Sequence, residues 1–540
     1  MPEQLSQRYE EHLQGRYDCV DRVVLNGYYG MCHSAGGFRT WWKQLRGEGS
    51  VLDRTQLMRM AGHFSRRLRA YATEHKIPIL YCPAGEEKHT LAEEHRKKTS
   101  VRQGVFLILV ARAQAPVWDV WASGHLEWKR PFVNHYSFHI LDPDWGHVTI
   151  KMSSHPPFST QIMLNGHEYV ACQARKAQLE FSKEGNCFTS IVDVAGLARI
   201  ADTLSESLAT GRLRQVCERW IYSSCLCFAL RQEEQERSGF HYQYSIYQVE
   251  YSRNLLFQAG RVMEEVFQAL IDRSRAPLDI EKIRTILGHK RGPVRRGRRK
   301  KPAWEVAVEK PEYDLTVFKV RCGLFTLKIY TKGERVLRVE TIAHNAKKLP
   351  CGCSLEKFCA VVQHLRVMLE RFMDVLSCMD QCFVGATMLE ELPRGTEVGK
   401  TRVGGIDVNR PRMRWVLQAV LALACNSGGF TVSQLAQQVR GFCPEQEYGS
   451  RQAAYDLKKL RGKRLVERVE KTRRYEALRE GLRAMTALLV LRDKVLRPLL
   501  ASAQPLEPSR GAHNPAVIDR HYENMRAEMQ GVFQQLGIAA

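Results

Sequence analysis

The run HKRGPVRRGRRKK at residues 289–301 limits what this chain can fold into more than any other feature. Eight of its thirteen positions are Lys or Arg, interspersed with two glycines and a proline. Like charges at that density cannot be packed into a core, so the segment stays extended unless a polyanion neutralises it. The run itself reads as a phosphate-binding arm, with Arg295, Arg296, Arg298, Arg299, Lys300 and Lys301 as contacts, or as a solvated linker. Its density exceeds what a linker needs. The whole chain leans the same way: 81 Lys and Arg against 58 Asp and Glu give a formal charge of +23, a field that attracts polyanions.

A length of 540 residues, 44% of them hydrophobic, suits three or four domains with real cores. No stretch approaches the ~18 apolar residues of a membrane span, and MPEQLSQRYEEHLQGRYD at the N-terminus has no apolar centre. The expectation is a cytoplasmic, nucleoid-associated protein without a membrane partner. The sixteen cysteines sit largely in apolar runs such as SSCLCFAL and VLALAC and read as reduced hydrophobic fillers. Cys351, Cys353, Cys359, Cys378 and Cys382 lack the C-x2-C spacing of a zinc site, so no metal ligand is assigned among them.

The fold class expected is mixed α/β, an α+β multidomain chain. Residues 1–200 read as a sheet with flanking helices. CVDRVVLNGYYG and GVFLILVARA have strand character, RTQLMRMAGHFSRRLRAYATEHK has helical periodicity, and the β-α-β-α-β order suggests a partly parallel sheet. FVNHYSFHILDPDWGHVTIKM reads as two strands around a turn at Pro143–Gly146, and Asn165-Gly166 marks a strand entering a helix. Residues 201–288 read as helical. In 302–392, a hairpin-rich part turns at Thr331-Lys332-Gly333-Glu334 and a helix follows. A loop precedes the last folded unit, and 481–540 form a helical tail.

Residues 411–480 read as a winged helix-turn-helix. A helix from Arg412 is closed by Ser427-Gly428-Gly429, Thr431 caps a second, Ser450 opens a third, and LVERVEKTRRYEAL forms two strands around a basic turn. The third helix offers Arg451, Gln452, Tyr455, Lys458 and Lys459 for groove readout and phosphate contact, and the wing offers Lys471, Arg473 and Arg474. A winged helix can also serve as a protein-docking module; the basic faces favour nucleic acid.

No compact catalytic motif is present: there is no G-x-x-x-x-G-K-[ST], H-E-x-x-H or G-x-S-x-G. Polar residues at strand ends remain. Asp21, Asp142, Glu250 and Glu340, brought together, could hold Mg2+ for phosphodiester cleavage, with Asn165 and His167 at a strand-to-helix turn nearby. The blander reading is turn chemistry for the aspartates and an ion pair between Glu340 and Arg338. His135 and His139, with three residues between them, do not form the two-histidine motif of strand-nicking tyrosine enzymes.

LKIYTKGERVLRVE resembles a segment of filamentous-phage-type replication initiators, in which a Tyr-x-Lys strand precedes an Arg-x-Glu strand; here these are Tyr330, Lys332, Arg338 and Glu340. More broadly, CVDRVVLNG, YSFHILDPDWGHVTIKM, PPFSTQIMLNGHEYVACQARKA, YSIYQVEYSRNLLF, LKIYTKGERVLRVET and the terminal helix-turn-helix are similar in their succession to a recurrent family of multicopy bacterial proteins of about this length. That resemblance implies a mobile or replicating element and assigns no catalytic residue. The expected function is nucleic-acid binding, DNA in the first place, with a metal-dependent nuclease or nickase as the enzymatic reading. A non-catalytic transcriptional regulator and an RNA-binding ribonucleoprotein subunit are the alternatives.

Overall fold

A computed structural model describes residues 4–83, 88–275, 304–309, 317–322, 325–348, 351–380, 384–426, 428–442, 447–470, 472–492 and isolated positions between 520 and 528. The basic run 289–301, Cys382, Lys471 and most of the tail after 492 lie outside the described residues.

The strands are β1 (Leu13–Tyr28), β2 (Ile79–Tyr81), β3 (Gly104–Gln114), β4 (Val117–Val120), β5 (Leu126–Lys129), β6 (Phe132–Asp142), β7 (Gly146–Ser153), β8 (Thr160–Asn165), β9 (Phe181–Glu184), β10 (Cys187–Ile191), β11 (Gln243–Phe257), β12 (Trp304–Glu309), β13 (Val317–Cys322), β14 (Phe325–Lys332), β15 (Val336–Ala343), β16 (Thr396–Val398), β17 (Thr401–Val403), β18 (Phe430–Thr431), β19 (Val466–Arg468) and β20 (Arg474–Ala477). The helices are α1 (Gln4–Arg8), α2 (Ala35–Arg46), α3 (Arg54–Glu74), α4 (Lys88–Lys98), α5 (Gly166–Lys176), α6 (Val194–Asp202), α7 (Ala209–Ser224), α8 (Gln232–Ser238), α9 (Gly260–Arg275), α10 (Phe358–Asp380), α11 (Ala386–Glu391), α12 (Pro411–Leu423), α13 (Val432–Phe442), α14 (Ser450–Gly462) and α15 (Arg479–Val490).

The fold is mixed α/β around one eleven-stranded sheet in the order β12-β13-β14-β15-β11-β1-β8-β7-β6-β3-β2. The β2–β3 pair at one edge is parallel and the other pairs are antiparallel. The sheet does not respect the segmentation read from the sequence. β11 falls inside the stretch 201–288 expected to be helical, and it joins β1 to β15. Residues 1–200 therefore do not close a sheet of their own. The region after the basic run supplies β12–β15 to the same sheet.

Alternation gives the sheet two unlike faces. On one face, Val23, Leu25, Phe138, Ile140, Val148, Ile150, Ile162 and Leu164 are nearly inaccessible and belong to the main core. The second face is polar: Lys151, Gln161, Asn26 and Glu250 are half-buried along it. The turns follow local chemistry. Gly146 and Gly333 take positive φ at the tips of β6–β7 and β14–β15, where any other residue would be strained. The Asn165 side chain accepts from the amides of His167 and Glu168 and caps α5.

In the last part, α12, α13 and α14 are followed by the three-stranded sheet β18-β20-β19. Thr431 and Gln434 close a reciprocal capping box at α13, Gln434 N–H donating to Thr431 Oγ1 and Thr431 N–H to Gln434 Oε1. Buried Asp456 ties α14 to α12 by accepting two bonds from Arg412, both 2.9 Å, and one from Tyr448. No described helix is long and apolar enough to cross a membrane.

Candidate functional site

Antiparallel register brings together most of the polar residues singled out in the sequence. Tyr17 pairs with Asn254, Asn254 with Arg338 and Arg338 with Tyr330 in one cross-strand row. Cys19, Ser252, Glu340 and Lys328 form the next row. α5 begins against this face: a Cβ on Gly166 would lie 1.7 Å from the Val20 carbonyl oxygen, so only glycine permits the approach. That approach sets His167 over Asp21, with Nδ1 2.8 Å from Oδ1.

The result is a buried ionic network. Arg338 is fully inaccessible and donates from Nε to Asn254 Oδ1 at 2.7 Å and from Nη2 to the Asn186 carbonyl at 2.6 Å. Its Nη1 lies 3.6 Å from Asp21 Oδ2, and Ser252 Oγ donates to Asp21 Oδ1 at 2.9 Å. Tyr17 Oη and Arg338 Nη2 each lie 3.3 Å from His167 Nε2. Burial alone would raise the Asp21 pKa, but the Arg338 guanidinium and His167 hold it at about 2. Burial lowers the His167 pKa against the pull of Asp21. Glu340 is pushed up to about 7 by burial, partly offset by Lys328, whose Nζ lies 3.3 Å away. Glu250 is raised by burial and by Asp21.

Several expectations change here. Asp21, Glu250 and Glu340 share one face of three neighbouring strands, but Asp142 does not join them. It ends β6, accepts from the amides of Asp144 and Trp145, and is held by Arg219 at 2.6 Å and Trp220 at 2.8 Å, which is turn chemistry plus an ion pair. Arg338 pairs with Asp21, whereas Glu340 takes Lys328. Lys332 is bonded to Asn186, and burial beside Arg338 lowers its pKa.

Among the described residues the one cluster with three metal-ligating atoms close together is Cys19, Asp21 and His167. It offers one carboxylate oxygen, one imidazole and a thiol that burial keeps protonated, with a guanidinium already beside the carboxylate. Mg2+ demands an octahedral oxygen and water shell, which this donor set does not provide. The network as built fixes β1, β11, β15 and α5 to one another.

The accessible chemistry lies at the other end of the chain. α14 buries Ala453, Asp456, Leu457 and Leu460 and turns Arg451, Tyr455 and Arg461 to solvent, with Lys458 and Lys459 half-exposed. Gln452 is not free for readout: its carbonyl accepts from Gly449 N–H and its amide donates to the Glu447 carbonyl, so it caps the helix. Arg473 is exposed, but Arg474 spends its guanidinium on the carbonyls of Gly428 and Gly429 and braces the β18–β20 pair.

A second hairpin, β16–β17, was read as plain loop in the sequence. Each strand has three residues around Gly399, too short for alternation to register. It lies along α14. Gly404 N–H donates to Tyr455 Oη, and Thr396 and Val398 crowd Gly462. A Cβ on Gly405 would sit 2.0 Å from the Pro393 carbonyl oxygen, so glycine is needed to seat the hairpin. Its exposed Lys400 and Arg402 flank one side of α14, where Lys459 sits 5.0 Å over the Tyr455 ring.

Comparison with protein-family models, with curated proteins and with solved structures gives no match for this chain.

Proposed function

We propose that this chain binds nucleic acid, duplex DNA first, through a C-terminal winged helix-turn-helix in which α14 is the reading helix. The observation that carries this is the exposed basic stripe of α14, with Arg451, Lys458 and Arg461 at its front. It is bounded on one side by the β16–β17 hairpin with Lys400 and Arg402, and followed in the chain by the β19–β20 hairpin with Arg468 and Arg473. Arginine on a groove-entering helix reads base edges, and hairpin cations meet phosphates. The basic run 289–301 adds phosphate contacts on this reading. The setting implied by the family resemblance, a mobile or replicating element, fits a site-selecting binder.

The binding reading is preferred to the nuclease because Asp21, Asp142 and Glu340 are buried in ion pairs and half-buried Glu250 accepts from Gln248. The test is fluorescence anisotropy with labelled duplex DNA, single-stranded DNA and RNA over a salt series, with and without Mg2+, following cleavage in the same samples. Tight duplex binding that weakens with salt is expected. Arg451→Glu with Lys458→Glu should lower affinity at least about tenfold, and each lost phosphate contact should flatten the log–log salt slope by roughly 0.9. Binding to none of the three ligands would refute the reading.

A further inference from the structure

The inference rests on a cleft at the opposite end of the sheet from β12–β15, with no part in the network or in α14. It is a cavity of about 670 Å³ between the start of α3, the β4–β5 hairpin and the first residues of β6. Trp118 lines its inner wall as a buried ring, fixed by an indole N–H bond of 2.8 Å to the Cys32 carbonyl and covered by Trp128 stacked at 4.2 Å. Its rim keeps two large apolar side chains in water, Phe132 at 59% and Met58 at 56% exposure. Solvated apolar groups lining a concave site mark a place where something apolar binds.

The charges around the cleft narrow the ligand. Asp119 is occupied by Lys129 at 2.7 Å and by Arg54 at 3.7 Å. Among the described residues Arg112 meets no carboxylate; its guanidinium donates to the Phe132 carbonyl at 3.2 Å and stays exposed at the mouth. Asn134 lies exposed on the lining and offers an amide that can pair with a base edge. An exposed aromatic ring with a solvent-facing guanidinium at its backbone, on the rim of one cavity, fits a π-faced body carrying an anion.

We propose that this cleft takes a nucleoside monophosphate unit. Its base stacks on the exposed Phe132 ring and its phosphate meets Arg112. The unit could be a free nucleotide or an unpaired residue of single-stranded nucleic acid, whose bases stack on aromatic side chains in the same way. The site is independent of the duplex reading, since none of its residues belongs to the C-terminal unit.

The experiment is anisotropy of etheno-AMP on the full chain, with AMP, inorganic phosphate and a short oligo(dT) as competitors. The Arg451→Glu, Lys458→Glu chain serves as a second host. Saturable binding in both hosts, displaced by AMP at least about tenfold better than by phosphate, is expected. Arg112→Gln and Phe132→Ala should each weaken it about tenfold or more while the circular dichroism stays unchanged. Stronger displacement by oligo(dT) than by AMP identifies the strand as the source, and the reverse identifies the free nucleotide. The proposal is overturned by no saturable binding, by equal displacement with phosphate, or by wild-type affinity in both variants.

Discussion

Arg338→Met, which keeps much of the side-chain volume, isolates the electrostatic part of the buried network. The substitution removes the guanidinium that faces Asp21 and strips two donors, leaving the Asn254 Oδ1 and Asn186 carbonyl acceptors without them. Asp21 shifts from 3.8 to about 2 in the fold. At about 1.4 kcal/mol per unit, the network favours its charged form by roughly 2 kcal/mol. Two orphaned buried acceptors add about 1 kcal/mol or more each, so the loss should be about 3–5 kcal/mol, the range for breaking a buried pair from one side. Equilibrium urea unfolding followed by circular dichroism reads it. Asp21→Asn in the Arg338→Met background should recover part of the loss, a coupling of about 2 kcal/mol, because no charge is then left uncompensated. Arg338→Lys should fall between the two, which keeps the test open if the methionine variant fails to fold. The pH limb gives a second check. Asp21 is more acidic folded than unfolded, so its contribution is present above pH ~4 and disappears as the pH drops through about 2. Asp21→Asn should lack that limb. A loss under about 1 kcal/mol for Arg338→Met, or strict additivity with Asp21→Asn, would refute the reasoning.

Other outcomes follow from the same geometry. Glu340 has the opposite sign: its folded pKa of about 7 lies above the ordinary 4.5, so the stability it contributes when protonated is lost as the pH rises between those values. Glu340→Gln should leave stability unchanged near pH 4 and raise it at pH 8, less the loss of the Lys328 contact; thermal melts at the two pH values measure it. Asp456→Ala removes an inaccessible carboxylate from Arg412 and Tyr448; Arg412 is 40% exposed and can hydrate, so the cost to the C-terminal unit should be about 1–3 kcal/mol, seen by hydrogen exchange in α12 and α14. Gly405→Ala should unseat the β16–β17 hairpin, raising amide exchange over 396–403 while leaving that of the eleven-stranded sheet unchanged. Gly166→Ala should destabilise the junction of α5 with β1 by several kcal/mol, since the clash is with backbone; a urea midpoint near that of wild type would contradict it.

Much of the sheet was legible strand by strand, because apolar alternation and turn residues are local signals. Pro143–Gly146, Thr331–Glu334 and the Asn165 cap all act within a few residues of themselves. Partner choice was not legible. β1 pairs with β11, more than two hundred residues on, and the stretch holding β11 read as helical because helices flank it. The candidate site shows the same division. Asp21, Glu250 and Glu340 stand out in the sequence as polar groups at strand ends; the structure sets them inside β1, β11 and β15 on one face, and α5 brings His167 to it. Spacing could not reveal that Arg338 would face Asp21 instead of its neighbour Glu340, nor that burial would close the carboxylates to an outside ligand. Phe132 opens a strand, and only the packing shows it in water.

The pairing of Asp21 with Arg338 has a consequence in time as well as in energy. The chain is made from the N-terminus, and the carboxylate emerges 317 residues before the cation that makes its burial tolerable. When β1 and β8 pair, α5 can already bring His167 to Asp21, but the guanidinium that holds the carboxylate charged comes only with β15. Arg338 thus acts as a late latch. A chain cut before residue 338 keeps Asp21 and His167 but lacks the cation that neutralises the carboxylate.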